Sequence, residues 1–209
     1  MEANAATPWG ADDTAKGRLM TAALELFNRS GYAATTVREI VELAGVTKPV
    51  LYYHFRSKEG IYLAILEDAL AALRTKIIEV GRGEGSIRER IYRLSEEFFA
   101  MCTKNVAVAR LIHAAYYGPQ QGAPAFDFDA YHHAFVDVLQ ELVEAGMRNG
   151  ELREGEPVLT AMALHCASHG AVEAMLAHPE LGIGCEVVRQ LLDRLFEGVA
   201  AQNDRERGQ

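Results

Sequence analysis

Apolar residues recur at helical spacing along most of the chain. The first clear stripe has the i, i+3, i+4, i+7, i+8 spacing of a helix with one buried face, and consists of Leu19, Ala22, Ala23, Leu26 and Phe27. Gly31 follows this stripe and suits the left-handed conformation that often ends a helix. The pattern therefore predicts a first helix that stops near Gly31.

Two short helices are predicted next from their capping residues. Thr36 and Glu39 have the T-x-x-E spacing of a capping box, which starts a second helix at about Val37. Thr47 can cap a third helix, with Pro49 in the first turn, where a missing N–H costs little. The two helices are separated by a turn of sequence AGVT. A short turn with a glycine between two helices is typical of the helix-turn-helix arrangement, although many other helix pairs share it.

The remainder of the chain also has the pattern of helices. Ser57 can cap a fourth helix, whose apolar positions continue to Ile77 and towards a glycine-rich break at 81–86. Later helices are predicted near 87–103, 105–117, 128–148, 157–177 and 185–201. No stretch alternates polar and apolar residues for long enough to predict a sheet, and no internal repeat is visible. The predicted fold class is all-α, with about nine helices.

The composition is that of a globular protein with a sizeable core. Of the 209 residues, 49% are hydrophobic and 24% are charged. No apolar run approaches the roughly 18–20 residues that a membrane span needs. The first residues lack a signal-peptide pattern, so no membrane partner is expected. Residues 1–13 and 203–209 are predicted to be disordered tails.

The cysteines are few and widely spaced. Cys102, Cys166 and Cys185 are odd in number and form no CxxC pair, which argues against a disulfide framework and against a CxxC-type zinc site. This usage fits a protein of the reducing cytoplasm.

Charge is distributed unevenly along the chain. Residues 14–60 contain seven basic and four acidic residues, a net charge of +3, whereas the rest of the chain carries −11 of a total of −8. A basic segment on an acidic protein favours an anionic partner for that segment alone.

The third helix carries an unusual group of aromatic residues. Its sequence, GVTKPVLYYHF, places Tyr52, Tyr53 and His54 side by side. It lies within the stretch ALELFNRSGYAATTVREIVELAGVTKPVLYYHFRSKEGIYLAIL, which resembles the N-terminal domain of the TetR family of bacterial transcription regulators nearly end to end. The resemblance is strong over about residues 14–68. Beyond that it covers the all-helical layout and a GMRNGELR stretch.

The resemblance implies a helix-turn-helix DNA-binding domain at residues 14–60 and a ligand-binding and dimerisation domain at 61–202, called here the head and the body. The third helix would enter the major groove of double-stranded DNA, which is wide enough for one α-helix. Lys48, Pro49, Val50 and Tyr52 would face bases, with Arg38 beside them. The phosphate backbone would be held by Tyr53, His54 and Lys58, and by amide groups at the start of the second helix; the DNA-contacting set is thus Thr36, Val37, Arg38, Thr47, Lys48, Pro49, Val50, Tyr52, Tyr53, His54 and Lys58.

The resemblance also implies a homodimer on a palindromic operator. Two weakly basic heads held in symmetry bind far better than one. In the family the last two helices, here near 157–177 and 185–201, pair with those of a second subunit. The last helix has a broad apolar stripe that could serve this pairing, formed by Val187, Val188, Leu191, Leu192, Leu195, Phe196 and Val199.

The middle helices hold more aromatic and polar groups than a plain core requires. An apolar cavity with a few polar groups is the usual form of a small-molecule site. The resemblance makes this region the sensor, and the residues expected to line a cavity for a small, largely apolar effector are Phe98, Met101, Cys102, His113, Tyr116, Tyr117, Phe126, Phe128, Tyr131, His132, Phe135, His165 and His169.

A metal-binding, redox-sensing or catalytic protein is the alternative. His165 and His169 lie at i, i+4, which is metal-ligand spacing, but HCASH lacks the glutamate of an HExxH zinc hydrolase. His113 and His132 could join such a site, and Cys102 or Cys166 could act as a redox switch. The GRGEGS segment follows a helix rather than a strand, so it is interpreted as a helix break and not as a phosphate loop. No catalytic residue, metal or cofactor is expected. The predicted function is that of a DNA-binding repressor.

Overall fold

The computed structural model describes Trp9 and residues 14–119 and 122–198, with the side chains of 130–133 excepted. Within these residues the fold is all-helical, as predicted, and contains no strand. The helices are α1 (Ala15–Ala34), α2 (Val37–Leu43), α3 (Lys48–Phe55), α4 (Lys58–Gly81), α5 (Ile87–Lys104), α6 (Val106–Tyr117), α7 (Asp129–Asn149), α8 (Pro157–Ala177) and α9 (Cys185–Glu197), with a 3-10 turn at Pro179–Leu181. Apart from Trp9, the two expected tails lie outside the described residues, as does the expected end of α9 beyond residue 198.

The ends of the first helices follow their sequence signals with one exception. Gly31 has φ +78°, so the helical path of α1 kinks there before the helix ends at Ala34. Thr36 and Glu39 form the reciprocal capping box of α2. Thr47 occupies the capping position of α3, but its side chain makes no capping hydrogen bond. The entry to α3 is therefore set by Pro49 and by packing rather than by the threonine hydroxyl.

The core of the head is larger than residues 14–60. Leu51 and Phe55 of α3 are buried at 0% and 6% exposure among side chains of α1, α2 and the first half of α4. Val108 and Leu111 of α6 belong to the same cluster. The side-chain amide of Asn28 in α1 also donates to the Ala107 carbonyl oxygen at 2.9 Å. Helix α6 therefore packs as part of the head's core, and the boundary at residue 60 stays a prediction.

Helix α4 connects the head to the body and is held closely at both ends. With 24 residues it is roughly 35 Å long. At its start, a Cβ on Gly60 would overlap the carbonyl oxygen of Phe55. At its end, a Cβ on Gly81 would overlap Cγ1 of Val138 in α7. Two glycines thus permit the closest approaches of α4 to its neighbours.

The core of the body is formed by α5, α7, α8 and α9 together with the second half of α4. Val188 and Leu192 of α9 are both 0% exposed within this single chain. The expectation that the whole stripe of α9 faces a second subunit is therefore corrected for these two residues, because they fill their own body's core. No helix in the described part of the chain is both long enough and apolar enough to cross a membrane.

Candidate nucleic-acid interface and ligand cavity

Helix α3 has one buried side and one exposed side. Leu51 and Phe55 point into the head, whereas Tyr52 is 49% and Tyr53 83% exposed. Lys48, Pro49 and His54 are exposed on the same helix, and Val50 is half-buried against the head's core. The structure therefore brings the expected base-facing and phosphate-facing residues of α3 to the surface of a basic domain.

Arg38 lies at the start of the neighbouring helix α2. Its Nε donates to Oε1 of Glu42 at 2.7 Å, in an ion pair whose side chains are 76% and 60% exposed. Exposed pairs of this kind contribute little to stability. An anion or a base edge can therefore displace Glu42 at small cost.

The amide of Thr36, which is expected to hold a phosphate, has a partner within the head. Its backbone N–H donates to Oε2 of Glu39 at 2.8 Å, and its hydroxyl donates to the same carboxylate oxygen at 2.7 Å. These bonds hold the pKa of Glu39 below its usual range, so a charged carboxylate occupies this amide. Val37 is half-buried, and the phosphate contacts expected of Thr36 and Val37 stay predictions.

Lys58 has partners inside the head. Its Nζ donates to the carbonyl oxygens of Tyr32 and Thr35, both at 2.8 Å, and lies 4.1 Å from the centroid of the Tyr32 ring. Burial lowers the pKa of Lys58, while the two carbonyls and the ring face favour its charged form. The structure gives Lys58 a positioning role between α1 and α4, and its expected phosphate contact stays a prediction.

The body contains an apolar cavity of about 120 Å³ between α4, α5, α6, α7 and α8. Nine of the thirteen expected residues line it: Phe98, Cys102, His113, Tyr116, Tyr117, Phe128, Phe135, His165 and His169. Met101 does not line it, because Phe98 and Cys102 lie on one face of α5 and Met101 points away from that face. Phe126 instead lines a second concavity near α1. The side chains of Tyr131 and His132 lie outside the described residues.

Two histidines that line this cavity lie close to a carboxylate of α8. The Glu173 carboxylate lies 3.5 Å from His169 Nδ1 and 3.9 Å from His113 Nε2. The phenol of Tyr117 is next to them, and its pKa is raised by burial and by Glu173. No group of three or more metal ligands is found among the described residues. Burial raises the pKa of Cys102 to about 12, so this thiol stays protonated and unreactive.

Comparison with known proteins bears directly on the exposed α3 and the head. Residues 19–65 match the family model described as "Bacterial regulatory proteins, tetR family". Residues 19–65 therefore form a DNA-binding domain of the TetR type. Its relatives are transcription regulators rather than enzymes, which does not favour the catalytic or metal-binding alternative.

The TetR relationship is clearest in the first half of the chain. The transcriptional activator FasR of Mycolicibacterium smegmatis is 38% identical over 100 residues, 48% of this chain and 46% of FasR. The chain thus aligns with less than half of this curated relative. Two solved structures share the fold at low identity. A Clostridium perfringens putative fatty acid metabolism regulator is 21% identical, with a TM-score of 0.74, and the match covers 88% of this chain and 100% of that one. Bacillus subtilis FadR in complex with stearoyl-CoA is 16% identical, with a TM-score of 0.72, and the match covers 88% of this chain and 98% of that one.

A further surface of the chain, in the body, is exposed and apolar. It is formed on α8 and α9 by Val158, Leu159, Met162, Leu191 and Leu195, which are 46%, 63%, 49%, 39% and 45% exposed. We call these five residues the α8–α9 face. Part of it, on α9, was expected from the sequence, whereas the residues of α8 were not singled out.

Sequence reasoning also missed the aliphatic wall of the ligand cavity. Leu70, Leu73 and Ile77 of α4 line it, together with Val172 and Leu176 of α8. These residues have the periodicity of ordinary core, so the sequence carries no signal that separates a cavity wall from a packed core. Their position matters because α4 also contacts α3.

Proposed function

We propose that this TetR-family regulator binds a palindromic operator as a homodimer and is released from it by a small, largely apolar effector. The observation that carries the proposal is the exposed side of α3. Lys48, Tyr52, Tyr53 and His54 project from a head of net charge +3, beside Arg38. Nothing in the head's own packing requires this cluster, and a DNA groove provides both bases and phosphates for it.

The proposed dimer uses the α8–α9 face. Its five large apolar side chains are 39–63% exposed on two adjacent helices, and such patches are typical of subunit interfaces. A two-fold interface presents the same patch on both subunits. It would hold two heads about 34–36 Å apart, one turn of the DNA helix.

The operator is expected to be read by Arg38 and Lys48. Selection of bound sequences from a random pool should return a palindrome. Arg38→Ala and Lys48→Ala should each lose about 1–3 kcal/mol of affinity at particular base pairs, because each removes donors suited to guanine O6 and N7. Affinities are measured by fluorescence anisotropy on the selected site and on its single-base variants, at fixed salt.

Lys104→Ala, an exposed lysine at the end of α5, is the matched control and should bind the operator as the wild type does. A pool that yields no palindromic sequence would overturn the DNA-binding part of the proposal. Uniform loss at all sequences would instead assign Arg38 and Lys48 to the phosphates.

The effector is proposed to act by moving α4. Pockets for small molecules usually measure about 300–1,000 Å³, whereas this cavity has about 120 Å³. An occupant must therefore widen it, and Leu70, Leu73 and Ile77 make α4 one of the walls that can yield. Because α4 begins against α3, a small tilt would rotate the head and change the spacing of the two recognition helices.

The effector and the operator are expected to weaken each other's binding. A coupling of about 1–3 kcal/mol changes each affinity by roughly 5–150-fold, and by the same factor in both directions. The compound that co-purifies, identified by native mass spectrometry, is titrated by calorimetry with and without saturating operator. Stearoyl-CoA, the ligand of the FadR structure, serves as the probe if none co-purifies. Equal affinities in the two titrations would show that the cavity is not an effector site for that compound.

The direction of regulation is proposed to be repression. FasR is named an activator, so the fold is compatible with either sign, which depends on where the operator lies relative to the promoter. A reporter gene behind the selected operator tests this: higher expression on deletion of the regulator supports repression, and lower expression overturns it.

A further inference from the structure

A third concavity, called here the groove, lies beside the contact between α4 and α7. It has a volume of about 530 Å³, and Gly81 and Val138, which contact each other, both line it. Arg74 and Ile78 of α4 face this groove, while their neighbours Leu73 and Ile77 line the ligand cavity. The groove and the cavity therefore lie on neighbouring faces of α4, since consecutive residues of a helix point about 100° apart.

Four arginines line the groove: Arg74 of α4, Arg82 in the turn after α4, Arg90 of α5 and Arg148 of α7. Arg90 is held in place by a hydrogen bond from Nη2 to the Gly81 carbonyl oxygen at 2.5 Å, yet its Nε is buried and makes no hydrogen bond. The side chains of Arg74 and Arg82 are exposed and make no hydrogen bond or ion pair within the part of the chain that the structure describes. A buried guanidinium nitrogen without a partner is costly. The exposed guanidinium groups of Arg74 and Arg82 have donors that an anion in the groove could accept from.

Acidic groups face the groove from α7 only. They are Asp137, Glu141 and Glu144. Glu144 is already engaged, since it lies 3.7 Å from Arg148 Nη1 and accepts from Gln140 Nε2 at 2.9 Å. The positive charge is thus concentrated on the side formed by α5 and the end of α4, with Arg74, Arg82 and Arg90. No carboxylate from that side is among the residues that line the groove.

We propose that this groove binds a phosphate-bearing anion between Arg74, Arg82 and Arg90. Guanidinium groups present planar pairs of donors that match phosphate oxygens, and they are the usual protein ligands for such groups. The phosphate could belong to a free nucleotide, or to the polar head of an amphiphile whose apolar part enters the neighbouring cavity. The anion would bridge α4 and α5 beside the end of α4 that the proposed effector moves.

The test is calorimetric titration of inorganic pyrophosphate into the full chain without DNA, so its outcome does not depend on operator binding. We expect saturable binding at one site per chain. The double variant Arg74→Gln/Arg82→Gln should weaken it at least about tenfold, because two charge-assisted contacts are lost. Both side chains are exposed, so the variant should keep the wild-type unfolding curve.

Two further variants separate a built site from general charge attraction. Arg110→Gln removes an exposed arginine of α6 outside the groove and should leave the affinity unchanged. Glu141→Gln removes a facing carboxylate and should tighten binding. Absence of saturable binding by the wild type at millimolar pyrophosphate would overturn the proposal. So would an equal loss in Arg110→Gln.

The two sources of phosphate are distinguished with ADP and dodecyl phosphate. Tighter binding of ADP than of pyrophosphate assigns the groove to a nucleotide. Tighter binding of dodecyl phosphate, with the gain lost in Leu73→Gln, assigns it to the head of an amphiphile that also occupies the cavity. If both compounds bind the variant Arg74→Gln/Arg82→Gln as tightly as the wild type, the proposed site is contradicted.

Discussion

Gly60→Ala is expected to lower the free energy of unfolding by about 3 kcal/mol and to abolish operator binding. The Phe55 carbonyl oxygen stands where the new Cβ would lie, and it also accepts a hydrogen bond from the Ser57 amide at 2.8 Å. Relief of the overlap must move α3 away from α4. That movement breaks the bond to Ser57 and withdraws Phe55 from the core, where it is 6% exposed.

The measurement is denaturant unfolding at a fixed protein concentration, with operator affinity by anisotropy. For a domain of this size the loss corresponds to a fall in Tm of roughly 6–12 °C. Gly155→Ala is the matched control: its Cβ meets only Met147 Cε at 3.8 Å, and the glycine has no positive φ. It should be neutral or stabilising by about 0.4–1 kcal/mol. Wild-type stability in Gly60→Ala would contradict the prediction and show that the turn between α3 and α4 can move to accept a Cβ.

Leu159→Glu is expected to yield a folded monomer with operator affinity reduced by at least about 100-fold. Leu159 is 63% exposed in the α8–α9 face, so glutamate costs little in the single chain. Two such carboxylates brought together at a two-fold interface would be desolvated, which is costly for charges without partners. A single head then loses the gain in affinity that two linked heads provide.

Leu192→Glu distinguishes an interface from a core. Leu192 is 0% exposed within the chain, so burial of a carboxylate there should unfold the body rather than separate two subunits. Light scattering gives the mass and circular dichroism the fold, with Leu43→Glu, an exposed leucine of α2 in the head, as the control for oligomeric state. A wild type that is monomeric at micromolar concentration, or a Leu159→Glu variant that stays dimeric, would refute this interface.

Local signals in the sequence predicted the helices well because helix ends depend on neighbouring residues. The capping box of Thr36 and Glu39 and the glycine at 31 act within one turn, and each lies where its pattern indicates. The exposed side of α3 could also be predicted from the sequence, since the family resemblance specifies which side of this short helix faces outward.

Features that depend on which helices pack against each other could not be predicted from local sequence signals. Leu191 and Leu192 are equivalent in an apolar stripe, yet one is 39% exposed and the other 0%, because α9 rests on α5 and α8 along one line only. Lys58 is expected at a phosphate from the sequence, but it donates to the carbonyl oxygens of Tyr32 and Thr35, which lie 26 and 23 positions earlier in the chain. The four arginines of the groove come from three helices and the turn after α4, so no local pattern unites them.

The placement of Val108 and Leu111 in the head's core has a consequence for recombination between relatives. A chimera joined at residue 60 would set this head against a foreign α6, and the side chains that pack on those two residues would lose their complement. The bond from Asn28 to Ala107 would depend on a backbone position in the donor body. Heads should therefore be exchangeable only together with the matching surface of α6, which makes that helix, rather than the end of α3, the practical limit of the DNA-binding module.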